Sequence, residues 1–487
     1  MDAEALCLKT ATELRALIAA RELSPVELVD AVLARIARLQ PSLNCFITVC
    51  AEQAREAARK SEARIAATPR GGALRALEGL PYTAKDLIDT AGVRTTYGSQ
   101  LHASHVPATD AVAVERMRAA GAILVGKTTT PEFGHKAFTD APLFGRTRNA
   151  WSAERSCAGS SGGAACAVAS GLAPLALATD GGGSTRIPAA ANGVVGIKQS
   201  VGAIPHSQAP DPFGCYTYVT PTTRTVADTA LMMQALAGAH PCDPWSYAPV
   251  EPYGAVGPQS SLDARVDGRR AGPLRIALVR RLGNTHVARE VLEALERSAA
   301  LLAGAGAIIE ELDEPIEPIE PLWRVINHST WRARFSAMVE QHRERMTPTL
   351  VRQVEEAQAF SAADFQQAAF RRGALFRSVQ GWLSRHDALL MPTLTRTALP
   401  IGNNLYDPIE IDGQVLPEVR AAWFPYTMPF NLTGHPAITL PVGLARDGLP
   451  LAVQLVGRFR EDAALLSLAA TLEAHTGWNG RLAPHPA

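Results

Sequence analysis

The sequence predicts an α/β layered fold around a buried, mostly parallel sheet. Two observations carry that expectation. Short apolar runs alternate with amphipathic segments at helical spacing along most of the 487 residues, the pattern of a sheet layered with helices. Several runs, such as the one in "LAPLALATD", are nearly continuous in apolar residues, as expected of strands covered on both faces.

The elements follow in order. Residues 8–66 read as helices; in "SPVELVDAVLARIARL" Ser24 is placed to cap, Pro25 stands in the first turn, and apolar residues recur at helical spacing. "LPYTAKDLIDTAG" reads as a strand entering a loop, and "AVAVERMRAAGAILVGKTTTPEFG" as helix, turn, apolar strand and loop. Residues 161–171 read as a helix of very small side chains, and "LAPLALATD" as the buried strand after it. "TRTVADTALMMQALAG" is an amphipathic helix with Thr225 and Asp228 spaced as a capping box. Residues 245–272, rich in Pro, Gly and Ser, form a loop or insertion. "LRIALV", "REVLEALERSAALLAGAG" and "AIIEEL" then resume the alternation. Helices are expected at 320–345 and 352–385, strands at "DALLMPT", "AITLPVG" and "LAVQLVG", and a last helix near 461–475. There is no internal repeat and no low-complexity tract.

Composition excludes some functions. Lys+Arg and Asp+Glu are both 47, which argues against an electrostatic nucleic-acid binder or a polybasic membrane binder. No long uninterrupted apolar stretch predicts a membrane span. The opening "MDAEALCLKT" lacks a basic segment followed by an apolar core, so no signal peptide is expected. Seven scattered cysteines without a CxxC pair fit a reducing, cytoplasmic location. Of the 47 basic residues only six are lysines: Lys9, Lys60, Lys85, Lys127, Lys136 and Lys198. In a chain so biased to arginine, a lysine is a candidate for work arginine cannot do, because only lysine gives up its proton when buried.

Three motifs compete. "GAILVGKT", Gly121 to Thr128, satisfies GxxxxGK[ST], but its intervening residues read as a buried strand, where a phosphate-binding loop should be. Gly159-Ser160-Ser161-Gly162-Gly163 matches G-x-S-x-G, with His435 as a nominal partner. The preceding "NAWSAERSCA" is a poor strand for such an elbow. The third reading joins "GSSGG" and "DGGGS" with the strand carrying Lys85. No histidine lies between His135 and His206, so a serine nucleophile there needs another base. A neutral lysine can serve, directly or through a second hydroxyl. Consecutive glycine N–H groups suit a tetrahedral oxyanion.

At these residues the chain resembles the amidase signature family. The family's GGSSGG, GTDxGGSIRxPA and GxxGxKPT stand here as AGSSGG, ATDGGGSTRIPA and GVVGIKQS. Its GxPxxxKD…GxxTxxGS stands as Gly79-Leu80-Pro81…Lys85-Asp86…Gly92-Val93-Arg94-Thr95…Gly98-Ser99. "GKTTTPEFG", "PLFGRTRNAW" and "PFNLTGHPAITLPVG" also fit, so the resemblance spans roughly 8–475. Ala158, Ala178, Thr185 and Gln199-Ser200 depart from the pattern, but no reacting group is lost.

The resemblance implies one domain over 1–487: an N-terminal helical region (1–66), a signature core (75–230), the 245–272 loop and a C-terminal part (273–475). Its fold would be a central mixed, largely parallel twisted sheet with helices on both faces. It further implies a hydrolase of C–N bonds in amides, with aryl acylamides, carbamates (urethanes) and some esters in the family's range. Ser184 would be the nucleophile, Ser160 the bridging serine after a cis peptide bond, and Lys85 the base. The oxyanion hole would be the N–H groups of Gly181, Gly182, Gly183 and Ser184. Ser161, Asp180 and Arg186 would brace the site. Gly134, His135, Thr185, Phe213 and Tyr216 are the candidate pocket residues. No metal or cofactor is implied. The expected partner is a small-molecule amide or carbamate, with no nucleic acid and no membrane, and a homodimer is left open. The alternatives are an ester-preferring Ser-His-Asp enzyme or an amidotransferase-type component working with partner proteins.

Overall fold

The computed structural model describes residues 2–247, 253, 272–312, 314, 317–478 and 480–484. Among them eleven strands hydrogen-bond into one sheet. In chain order they are β1 (Phe46–Val49), β2 (Pro81–Lys85), β3 (Ile123–Thr128), β4 (Leu175–Asp180), β5 (Val195–Lys198), β6 (Tyr218–Thr223), β7 (Arg275–Leu278), β8 (Ile308–Glu311), β9 (Ala388–Pro392), β10 (Ala437–Leu444) and β11 (Pro450–Gly457). Across the sheet they run β1-β3-β2-β4-β6-β5-β10-β11-β9-β7-β8. The sheet is mixed, as expected. Its parallel pairings form two blocks, β3-β2-β4 and β9-β7-β8. Antiparallel pairings join the blocks through β6, β5, β10 and β11.

Helices flank this sheet. Gly162–Ala169 packs on β2, β3, β4 and β6, and Arg186–Asn192 on β5, β10 and β11. Every residue of Gly162–Ala169 is buried. Its small side chains permit that approach: a Cβ at Gly162 would lie 2.3 Å from Thr139 Oγ1, and one at Gly163 2.4 Å from Thr129 Oγ1. Asp462–Thr476 covers β10 and β11, and Arg289–Gly304 covers β9 to β11. None of the described helices is long and apolar enough to cross a membrane.

The parallel block places the site. Lys85 ends β2 and Asp180 ends β4, and these strands run the same way. Both residues therefore stand side by side at the carboxyl ends of this parallel block, where open α/β sheets hold ligands.

Several boundaries differ from the sequence reading. Residues 8–66 contain β1 among their helices; four residues at a sheet edge leave too short a pattern to read. β5 and β6 are further strands. Pro221 in β6, opposite Leu177, is a residue that argues against an interior strand. The helix read over 352–385 is two, Pro348–Glu356 and Ala362–Arg385, and Ser361 and Asp364 form a capping box at the second. Pro244–Tyr247, at the entry to the proline-rich segment, forms a short 3-10 helix, while 248–252 and 254–271 lie outside the described residues.

The expected capping box of Thr225 and Asp228 is half formed. Thr225 Oγ1 accepts from the Asp228 N–H at 3.1 Å. The Asp228 carboxylate turns instead to the first turn of helix Ala11–Ala20, accepting from Ala11 N at 3.1 Å and Thr12 N at 2.9 Å. It thereby joins segments more than 200 residues apart. Asp228→Ala should strand the buried Ala11 N–H, release the Thr12 N–H to solvent and lower stability by about 1–3 kcal/mol. A urea midpoint unchanged from the parent would refute that role.

Candidate active site

Lys85 is fully buried and meets three hydroxyls and no carboxylate. Its Nζ lies 2.6 Å from Ser160 Oγ, 2.9 Å from Ser161 Oγ and 2.8 Å from Thr179 Oγ1. Burial pushes its pKa well below the usual lysine value, opposed only by the negative charge of Asp180. A neutral amine has two protons to give and one lone pair to receive. Ser161 Oγ commits its own proton to the Thr179 carbonyl at 3.0 Å. Ser160 and Thr179 are therefore the hydroxyls left to donate to the lone pair. The Gly159–Ser160 peptide is cis.

Asp180 organises the glycine turn that follows β4. Its carboxylate accepts from Gly183 N at 2.7 Å and Thr185 N at 3.2 Å. Arg186 closes a two-pronged pair on it at 3.0 Å through both Nε and Nη2, and Asn431 Nδ2 adds a contact at 2.9 Å. Burial works against the charge, but the Arg186 guanidinium and these hydrogen bonds outweigh it and hold the carboxyl at about 2. Arg186 continues to Gln454 and Asn431.

Gly183 departs from its expected place in the oxyanion hole, because its N–H is already donated to Asp180. The N–H groups of Gly181, Gly182 and Ser184 have no hydrogen-bond partner among the described residues. Gly183 must still be glycine: its φ is +121° and a Cβ would lie 2.3 Å from Thr427 Oγ1. The turn's carbonyls are fixed from outside. Trp323 Nε1 donates to Gly181 O at 3.0 Å and Thr427 Oγ1 to Gly182 O at 2.7 Å. Ser184 is partly exposed, and its carbonyl accepts from Ser161 N at 3.0 Å. That bond links the two Gly/Ser stretches.

A cavity of about 320 Å³ opens over Ser160, Thr179 and Ser184. Gly134, His135 and Tyr216 line it, as expected, together with the aromatic rings of Phe133, Trp323 and Trp331. His135 is fixed at both ring nitrogens, by Glu132 O and Thr349 Oγ1, each at 2.7 Å. Burial pushes it well below the usual histidine range, so it is neutral and structural. Two expected pocket residues are elsewhere. Phe213 is 75% exposed and outside the cavity wall. Thr185 is buried beneath the glycine turn against Thr220.

Residues 27–466 match the model of the Amidase family. The chain belongs to the amidase family. It is 36% identical over 479 residues to an acylamidase of Rhodococcus erythropolis, covering 96% of each chain. It is 34% identical to one component of the glutamyl-tRNA(Gln) amidotransferase of Roseiflexus sp. (strain RS-1), covering 98% of each. Its fold matches a solved bacterial aryl acylamidase of the amidase signature enzymes with a TM-score of 0.84, 27% identity and 96% coverage of each chain. It is an amide-hydrolysing enzyme.

The competing motifs have structural roles in this amidase. The GxxxxGKT string is β3, and buried Lys127 donates to Thr90 Oγ1 and Thr95 Oγ1, each at 2.9 Å, and to the Ile88 carbonyl. Ser161, the serine of the elbow reading, is spent on Lys85 and Thr179. His435 lies outside the cavity wall, packed on Phe376 and Phe459, and burial holds it at about 3.

Sequence reasoning missed Thr179, Trp323, Thr427 and Asn431. Thr179 precedes Asp180 in the same motif and was within reach of it. Asn431 stands in the quoted "PFNLTGHPAITLPVG" but nothing local tied it to Asp180, and Trp323 and Thr427 had no local signal. The Gly181 carbonyl and the Gly182 N–H share one peptide plane, so Trp323 aims that N–H by holding the carbonyl. Trp323→Phe keeps the ring and loses the bond. It should lower kcat for amides by about tenfold with a smaller change in KM. An unaltered kcat would show that packing alone orients the peptide.

Proposed function

We propose that this amidase cleaves linear amides by forming an acyl-enzyme on Ser184, with Ser160 and Lys85 as its proton relay. The observation that carries the proposal is the 2.6 Å approach of a buried, carboxylate-free lysine to Ser160 Oγ. Such an amine is neutral enough to act as a base near neutral pH. Ser160 passes the proton of Ser184 to Lys85. Ser184 Oγ then attacks the acyl carbon, forming the C–O bond. Negative charge grows on the acyl oxygen, near the unengaged N–H groups of Gly181, Gly182 and Ser184. The relay returns the proton to the departing nitrogen as the C–N bond breaks. Water, deprotonated by the same relay, releases the acid.

The aromatic cavity wall supports aryl or alkyl amides as substrates, and carbamates and activated esters undergo the same steps. Similarity to acylamidases over 96% of the chain supports a hydrolase acting alone. Similarity to the amidotransferase components supports a second reading, in which the same acyl-enzyme releases ammonia from a primary amide to a partner.

Brief exposure to a fluorophosphonate should label Ser184, read by peptide mass spectrometry. Labelling at Ser161 that His435→Ala abolishes would establish the elbow reading instead.

Lys85 must be neutral to accept a proton. Activity should therefore rise with pH as Lys85 deprotonates, with an apparent pKa below the roughly 10.4 of a free lysine. Lys85→Arg keeps the charge but holds its proton, and should lower amide turnover by on the order of 10²-fold or more. Near-parental turnover in a folded Lys85→Arg variant would overturn the relay.

A further inference from the structure

The cavity over Ser184 has an unbalanced charge. Helix Glu320–His342 presents Asn327, Trp331 and Arg334 to it, at the spacing of one helical face. Helix Ala362–Arg385 presents Phe365, Ala369 and Arg372 in the same way. Neither arginine has a carboxylate partner among the described residues. Arg334 makes no hydrogen bond to any of them; its guanidinium rests over the Phe335 ring at 4.9 Å and beside Trp331 at 5.7 Å. Arg372 is held by three carbonyls, Leu432 O at 2.6 Å and Gly214 O and Cys215 O at 2.8 Å each.

The other cations of the wall are paired. Lys136 contacts Asp140, and Arg420 lies 3.6 Å from Glu320. The sole carboxylate among the described lining residues is Asp211, and it accepts from the N–H groups of its own turn, Phe213 at 3.1 Å and Gly214 at 3.0 Å. The field of Arg334 reaches the wall: with burial, it holds the lining residue His206 at about 4. Trp331 Nε1 is buried without a partner, a further donor one turn before Arg334. A cavity lined by two guanidiniums without a carboxylate partner, of which Arg372 is steadied by carbonyls, and by a free N–H favours an anion, and the planar guanidinium fork matches a carboxylate.

We propose that the substrate of this amidase carries a carboxylate several bonds from the scissile amide, bound between Arg334 and Arg372. The proposal rests on the acyl-enzyme reading above and adds the chemical class of the substrate. The carboxylate is a spectator. It keeps its charge through both half-reactions and leaves with whichever product bears it. Its binding lowers KM more than it raises kcat, because the same contacts exist in the ground and transition states.

Two matched pairs test it, one for each side of the amide. On the acyl side, glutaric monoanilide is compared with 5-oxohexananilide, its methyl-ketone counterpart. On the amine side, 4-acetamidophenylacetate is compared with the corresponding benzyl methyl ketone. In at least one pair the acid should have a kcat/KM about tenfold higher, mainly through KM, and added salt should shrink the ratio. Arg334→Gln should bring that ratio close to one, and Arg372→Gln should do the same if it folds. The control Arg297→Gln, a distant exposed position, should leave it unchanged. A ketone turned over as well as its acid in both pairs, or a ratio that survives Arg334→Gln, overturns the carboxylate site while leaving the acyl-enzyme intact. Failure to turn over any of the four, with no labelling of Ser184, overturns both.

Discussion

The buried pair of Asp180 and Arg186 is the interaction on which the rest of the site depends. Asp180 ends a central strand, so its carboxylate is placed by the sheet rather than by a loop. It accepts from the glycine turn and from the first turn of the following helix. Arg186 answers it with two hydrogen bonds and carries the network on to Gln454 and Asn431. A buried charge pair contributes little stability unless its remaining hydrogen bonds are satisfied. Here they are satisfied, and the satisfying groups include N–H groups of the glycine turn and of the helix start that follows it. Asn431 and Gln454 belong to the last quarter of the chain, so both halves must be packed before the turn takes its shape.

Lys85 illustrates the opposite use of burial. Asp180 is kept charged by its partners, whereas Lys85 has hydroxyl partners and is pushed toward neutrality. Lys127 and Lys198 show that burial alone does not make a site. Lys127 is also buried, but Asp86 and Asp89 oppose its shift, which ends at about 8, and its protons go to a carbonyl and two threonines. Lys198 donates to Gln199 O at 2.8 Å and sits 4.1 Å over the Tyr218 ring. What separates Lys85 is access: it touches Ser160, which faces the cavity.

That cavity is assembled by partners remote in sequence. The signature segment supplies the serines and the turn, and helices from the 320s and 360s supply the wall. Trp323 belongs to both, since it packs within 2.9 Å of where a Cβ on Gly182 would be and also holds the Gly181 carbonyl. The helix that lines the cavity is thereby also the one that holds the turn.

The sequence by itself determined the strands that carry Lys85 and Asp180, the small-residue helix, and the order of serines and glycines. Each of these rests on contiguous residues whose chemistry leaves little choice: apolar runs, glycines at tight turns, and a lysine where arginine is otherwise the rule. Only the tertiary structure decided that three hydroxyls converge on Lys85, that Gly183 gives its N–H to Asp180, that Phe213 faces solvent and that Thr185 lies beneath the turn. The N–H direction of Gly183 depends on a carboxylate three residues away and on Thr427 pressing from the other side. The positions of Phe213 and Thr185 depend on which neighbours fill the space around them. Such outcomes are set by packing between segments distant along the chain, and a local pattern carries no record of those distances.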